Sequence, residues 1–292
     1  MYSILLYYKY TPLENPEMIT GMQKVLCQKL SLKGRIIIAN EGINGTVEGL
    51  DNDIATYMEE TRKIPEFADI QFKISKGTGN AFPKLSVKTR KEIVTLGRPN
   101  LFPKPGETGG NYLSPDELHS WFEKKDDFVI LDMRNEYEFQ AGKFDNSVVM
   151  PVRYFRDIPE HAETLQKMKD KKVVAVCTGG VRCEKGTVYL KEELGFKDVY
   201  QLHEGIVTYM NKYPQGHFKG SLYVFDNRMT MRSEGMPEIV LGKCEQCGTA
   251  SEQFVNCSLS KCRKQSIFCD SCIEKVGGKE KCACKEHEVV VV

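Results

Sequence analysis

A chain of 292 residues, 41% apolar and 28% charged, is long enough for two domains and a small third module, and its composition is that of a soluble globular protein. A formal net charge of +1 sets up no global field that recruits nucleic acid, so any RNA contact has to come from local patches. No apolar stretch approaches the roughly 20 residues of a bilayer crossing, and Met1 to Tyr8 lack the basic segment and cleavage site of a signal peptide. The expectation is a cytoplasmic protein with no membrane or DNA partner, whose cysteines are thiols or metal ligands rather than disulfides.

Residues 1–95 read as β-α-β-β-α-β, the split βαβ pattern of a ferredoxin-like α+β domain. A strand over 3–10 precedes a helix opened by Pro16, with Met18, Met22, Val25, Leu26 and Leu30 on one face. Arg35 to Ala39 is a central strand. Asn40-Glu41-Gly42-Ile43-Asn44-Gly45 is turn chemistry leading into Thr46-Val47-Glu48, and a tight hairpin is a simpler account of it than a ligand loop. Asp51 can cap a second helix running to about Arg62, and Ile70 to Ile74 supplies the last strand. Such a sheet is an RNA platform in some proteins and a plain scaffold in others.

Residues 96–113 are a linker by their Pro and Gly content. Ser114, Pro115 and Glu117 then form the N-cap, first position and capping-box partner of a helix. Across 114–215, strands at 128–133, 147–150, 172–176 and from 195 alternate with helical stretches around 137–141 and 159–169. That alternation implies a parallel sheet covered by helices on both faces, with ligands at the carboxyl ends of the strands.

Cys177-Thr178-Gly179-Gly180-Val181-Arg182-Cys183 stands at such an end, between the apolar run 172–176 and a helical pattern through Val188, Tyr189 and Leu194. Loop amides and a helix N-terminus favour a thiolate, the reactive form of cysteine. Cys177 and Arg182 are the catalytic candidates, and Thr178, Gly179, Gly180 and Val181 the segment that binds substrate. Phosphatase chemistry is disfavoured: four residues rather than five separate Cys from Arg, and Val176 stands where a His is usual.

Leu131-Asp132-Met133-Arg134-Asn135-Glu136-Tyr137-Glu138, Gly142-Lys143-Phe144, Val173 to Arg182 and Leu202-His203-Glu204-Gly205-Ile206 resemble a rhodanese domain in order and spacing. That resemblance implies a persulfide-forming Cys177 assisted by Arg182, and makes Asp132–Arg134 a structural ion pair. The hairpin Ala39 to Thr46, fused ahead of Cys177 to Lys185, resembles more narrowly the tRNA uridine hydroxylases, as does the stretch from Phe218-Lys219-Gly220 to Arg228. It implies a tRNA partner, molecular oxygen as co-substrate and 5-hydroxyuridine at the wobble position as product. Cys183 is then a third catalytic candidate, either a second redox thiol or an occupant of a Ser-like place at the helix start. The five histidines show no 2-His-1-carboxylate pattern and there is no Gly-x-Gly-x-x-Gly fingerprint, so the oxygen-activating cofactor stays unknown at this level.

Residues 216–242 connect to a cysteine-rich module at 243–292. Its pairs, Cys244/Cys247, Cys257/Cys262, Cys269/Cys272 and Cys282/Cys284 with His287 beyond, read as structural zinc knuckles whose metal supplies folding energy. Alternation suggests a cross-brace: Cys244, Cys247, Cys269 and Cys272 on one ion, Cys257 and Cys262 with two of Cys282, Cys284 and His287 on another. The competing functions are a plain sulfurtransferase and a zinc-bearing interaction protein; an intact cysteine in an amide-lined loop argues against the latter.

Overall fold

The structure is a computed structural model that describes residues 1–104, 107, 109–150, 152–257, 262 and 264–275. Its first unit is β1 (Tyr2–Tyr10), α1 (Pro16–Lys29), β2 (Lys33–Ala39), β3 (Gly42–Leu50), α2 (Asp51–Arg62), β4 (Phe72–Lys76) and β5 (Leu85–Thr89). The sheet order β4-β1-β3-β2-β5 is the ferredoxin-like arrangement with one strand added at the β2 edge. β5 pairs parallel to β2 and was not legible in the sequence, because Leu85-Ser86-Val87-Lys88-Thr89 is short and half-buried at an edge.

Period-two alternation in β1 sends Leu5 and Tyr7 to a core with α1 and α2, and Leu6, Tyr8 and Tyr10 to the opposite face. Four sequence expectations need correction here. Helix α1 buries Pro16, Ile19, Gln23 and Cys27, while Met18, Met22 and Val25 are exposed. The true face carries a glutamine, satisfied by Tyr57 Oη at 2.5 Å, and that polar residue hides the apolar period. Asp51 is the first helical residue rather than the cap, and bonds Ser3 Oγ at 2.8 Å. Ile70 packs as a buried loop residue, and the strand begins two positions later at Phe72. The hairpin turn is confined to Asn40-Glu41, and Gly42 to Gly45 are already strand.

The second unit comprises β6 (Asn111–Leu113), α3 (Pro115–Lys124), β7 (Val129–Asp132), α4 (Glu136–Ala141), β8 (Gly142–Phe144), β9 (Val148–Val149), α5 (Ala162–Gln166), β10 (Val173–Val176), α6 (Val181–Glu192), β11 (Val199–Leu202) and α7 (Ile206–Lys212). Strands β6-β11-β10-β7-β9 form one parallel sheet. In β10, Val173 and Ala175 join a core with Leu165 of α5 and Leu190 of α6, whereas Val174 and Val176 join one with Leu118 of α3 and Met210 of α7. One β-branched strand buried on both faces therefore explains the continuous apolar run. Ser114 and Glu117 make the expected capping box.

The chain continues through β12 (Phe218–Gly220), which pairs with β8, then β13 (Leu222–Tyr223) and β14 (Thr230–Met231). The last described elements are the hairpin β15 (Phe254–Asn256) and β16 (Gln265–Ile267) and helix α8 (Asp270–Lys275). No helix among the described residues is long and apolar enough to cross a membrane.

Candidate active site

Cys177 follows the last residue of β10 and is fully buried. The next turn needs glycine twice. Gly180 has φ +106°, and a Cβ there would lie 2.5 Å from Tyr8 Oη. Gly205 has φ +78°, and a Cβ would lie 2.7 Å from the carbonyl oxygens of Cys177 and Thr178. That close approach lets the first amides of α7 hold the loop: Ile206 N–H donates to the Cys177 carbonyl at 2.9 Å, and Val207 N–H to that of Thr178 at 3.1 Å.

At the sulfur, Gly180 N–H donates to Cys177 Sγ at 3.2 Å. Burial pushes the thiol pKa up, but the Cys183 thiol and amide, the Arg182 charge and the Gly180 amide outweigh it and bring it to about 6. Cys177 is thus a thiolate at neutral pH. Cys183, buried itself, is pushed the other way by burial and by its neighbour Cys177, so it stays protonated and donates. It does not line the cavity onto which Cys177 opens.

Arg182 makes a bidentate pair with Glu138 at 2.5 and 2.7 Å, and Thr178 Oγ1 donates to the same carboxylate at 3.1 Å. The pair is buried, which fixes the guanidinium against the loop. Asp132 and Arg134 form a fully buried pair at 2.6 Å, and Arg134 also donates to the Gly142 carbonyl at 2.7 Å. Arg134 thus links the end of β7, through Asp132, to Gly142 of β8.

Several site residues escaped the sequence reading. Lys73 of β4 crosses from the first sheet to donate to the carbonyls of Gly179, at 2.9 Å, and Glu204, at 2.7 Å. Burial lowers its pKa to about 8. Tyr8 reaches Glu184 at 3.3 Å, Tyr112 does so at 2.8 Å, and Tyr10 Oη donates to the Val181 carbonyl at 3.1 Å. Lys185 is completely buried between Glu41, at 2.7 Å, and Glu92, at 2.8 Å. The hairpin and the helix after the cysteine loop are two ends of this one ion cluster. Partners 144 residues apart leave no local signal.

The outer face of the first sheet therefore roofs the cysteine loop. Between them lies a cavity of about 510 Å³, lined by Cys177, Thr178, Gly179, Val181 and Arg182 below and by Leu6, Tyr8, Ile37 and Asn44 above. Gly180 serves it through its amide alone.

Cys244, Cys247, Cys269 and Cys272 converge as the cross-brace expects, with all four sulfurs within 4.8 Å of one another and those of Cys247 and Cys269 3.5 Å apart. Sulfurs around a tetrahedral zinc are about 3.8 Å apart, given Zn–S bonds of about 2.3 Å. Amides of Cys269, Cys247 and Gln246 bond Cys244 Sγ, as in a metal knuckle. The donor set fits a thiophilic ion. Cys257 and Cys262 are half-buried, while Cys282, Cys284 and His287 lie outside the described residues. A second cluster, absent from the sequence reading, joins His119, Glu123 and His217. His119 Nδ1 bonds Tyr209 Oη at 3.0 Å and His217 Nε2 bonds Glu123 at 3.0 Å; none of the three lines the Cys177 cavity.

A thiolate at a strand end, held by loop and helix amides beside a buried arginine in an α/β sheet, defines a rhodanese-type domain. Residues 114–212 match the family described as "Rhodanese-like domain", residues 2–93 "UPF0176 acylphosphatase like domain" and residues 219–287 "Rhodanase C-terminal". The chain is 40% identical to the tRNA uridine(34) hydroxylase of Cytophaga hutchinsonii over 97% of its own length and 90% of that protein's. It is 44% identical to the one from Corynebacterium urealyticum, covering 92% of each, and 42% identical to that of Bacillus licheniformis over 91% of this chain and 83% of the relative. The chain belongs to the tRNA uridine(34) hydroxylase family.

Proposed function

We infer that this chain is an enzyme that hydroxylates the wobble uridine of tRNA to 5-hydroxyuridine with molecular oxygen as co-substrate, the activity that its relatives' name states. The observation that carries the reading is the roofed cavity. At about 510 Å³ it has the size of a small-ligand pocket and admits one unstacked nucleotide, and Cys177 faces into it. The target base leaves the loop stack and enters the cavity lined by Cys177 and Arg182.

In this reading Cys177 is the reactive group and Arg182 stabilises negative charge developing beside it, held in place by Glu138. Cys183 donates to the thiolate and sets its basicity, which favours a hydrogen-bonding role over attack on substrate. Thr178, Gly179 and Val181 line the floor, and Gly180 donates its amide to the Cys177 sulfur. The four converging cysteines hold a structural zinc ion that folds the C-terminal module. A tRNA substrate and the lack of a membrane-crossing helix among the described residues fit a cytoplasmic enzyme.

The test is nucleoside analysis of tRNA by mass spectrometry in cells with the protein, without it, and with Cys177→Ala. Loss of 5-hydroxyuridine derivatives in the last two supports the reading. Unchanged levels, with fast thiosulfate-to-cyanide transfer by the purified protein, would leave a sulfurtransferase instead.

A further inference from the structure

The Cys177 cavity does not close at its rim. It shares Arg35, Phe82, Tyr154 and Phe225 with a second cavity of about 1260 Å³ that extends outward to the cysteine-rich module. All three units contribute to its walls: Arg35 and Phe82 from the first, Lys143, Arg153 and Tyr154 from the second, Phe225, Lys243 and Lys264 from the third. A single nucleotide fills only the inner chamber, so the outer one has no part in holding the reacting base.

Its surface chemistry is specific. Five cations, Arg35, Lys143, Arg153, Lys243 and Lys264, face three carboxylates, Glu136, Asp226 and Glu245. Asp226 is bound by Arg228 at 2.6 Å and Glu245 by Lys264 at 2.7 Å. Setting aside those pairs and Arg153, which donates to the Cys262 carbonyl at 3.2 Å, Arg35, Lys143 and Lys243 face Glu136 among the described residues, in a chain whose formal charge is only +1. The groove is thus a local basic patch in a near-neutral protein. At the shared rim Phe225 keeps 45% of its surface exposed, while the half-buried Tyr154 ring carries the guanidinium groups of Arg153 and Arg156 at 5.3 and 4.7 Å. Exposed aromatic rings among cations are how single-stranded nucleic acid is held: rings stack on bases and cations meet phosphates.

We propose that the outer groove binds the unpaired nucleotides flanking the target uridine. Phe225 stacks on a neighbouring base, while Arg35, Lys143 and Lys243 contact the backbone. The occupant is the single-stranded loop of an RNA hairpin, with one base turned into the inner chamber. This assignment rests on the tRNA reading above and adds where the rest of the loop lies and which side chains hold it.

The experiment uses the full-length protein and a synthetic anticodon stem-loop RNA, measuring Kd at several salt concentrations together with kcat and KM for hydroxylation. The Lys143→Ala/Lys243→Ala variant is expected to raise Kd and KM about tenfold, leave kcat at saturating RNA unchanged, and reduce the salt slope of binding by about 1.4, the value for two lost single-strand phosphate contacts. Phe225→Ala is expected to weaken binding about tenfold or more, the effect of one lost base stack. Both sites are exposed, and an unchanged melting temperature confirms that folding is intact. The control, Lys24→Ala/Lys29→Ala on the exposed face of α1, is expected to bind as wild type.

Wild-type Kd and salt slope in both groove variants would overturn the proposal, as would an equal loss in the α1 control. If groove variants lose RNA binding but even the wild type forms no 5-hydroxyuridine, the groove stands and the hydroxylase reading falls. If hydroxylation proceeds with unchanged KM in the variants, the reverse holds.

Discussion

At Cys177 burial and hydrogen bonding act in opposite directions. Burial alone would keep the thiol protonated, yet the Cys183 donor, Arg182 and the Gly180 amide bring its pKa to about 6. The thiolate therefore persists above that value and takes up a proton as pH falls through it. Iodoacetamide trapping of the Cys177 peptide, followed by mass spectrometry, should show a midpoint near 6. Cys183→Ala should move that midpoint upward, because a donor to the charged form is lost, whereas Cys183→Ser should restore much of it. An unshifted midpoint in Cys183→Ala would remove Cys183 from the site's electrostatics. Lys73 acts differently, through two carbonyls on separate loops. One of them belongs to Glu204, whose φ of +62° no β-branched residue would tolerate well. Lys73→Met leaves both part-buried acceptors without this donor and should cost about 1–2 kcal/mol in urea unfolding.

Among the elements, the cysteine loop was legible because its signal is local: an apolar strand, two glycines, an arginine and a helix lie within about a dozen residues. Its partners were not. Glu138 pairs with Arg182 across 44 positions, and Lys73 reaches Gly179 across 106, so no periodicity or spacing links them. The face of α1 was misassigned for a related reason, since Gln23 and Cys27 occupy core positions where the pattern calls for larger apolar groups. Helix α6 shows what such partnerships do to stability. Lys185 is sealed between Glu41 and Glu92, so Lys185→Met should destabilise the protein by about 3–5 kcal/mol, the cost of leaving buried carboxylates uncompensated. Glu41→Gln should cost less, because Glu92 still neutralises the ammonium. A pair of equal, small effects by thermal unfolding would mean that the cluster relaxes to admit water.

For the whole molecule, three units line the connected cavities at Cys177, and in the third four thiols converge. A zinc chelator should release one ion from the Cys244, Cys247, Cys269 and Cys272 set, read by a colorimetric metal dye, and unfold the C-terminal module. The first two units have their own apolar cores and should keep their melting transition. Loss of all transitions together would show that the third unit braces the others. The roof over the cysteine loop also bears on how the protein is made. Tyr8 and Glu184, which meet above the loop, are 176 residues apart, so the ribosome delivers the roof long before the floor exists. Contacts of such separation form late and slowly. A nascent or prematurely terminated chain therefore carries Cys177, if at all, without Tyr8, Lys73 and Lys185 locked around the finished loop. The cavity over Cys177 is therefore enclosed only after synthesis has passed the loop, although the groups that lower its pKa, Gly180, Arg182 and Cys183, are all close by in sequence.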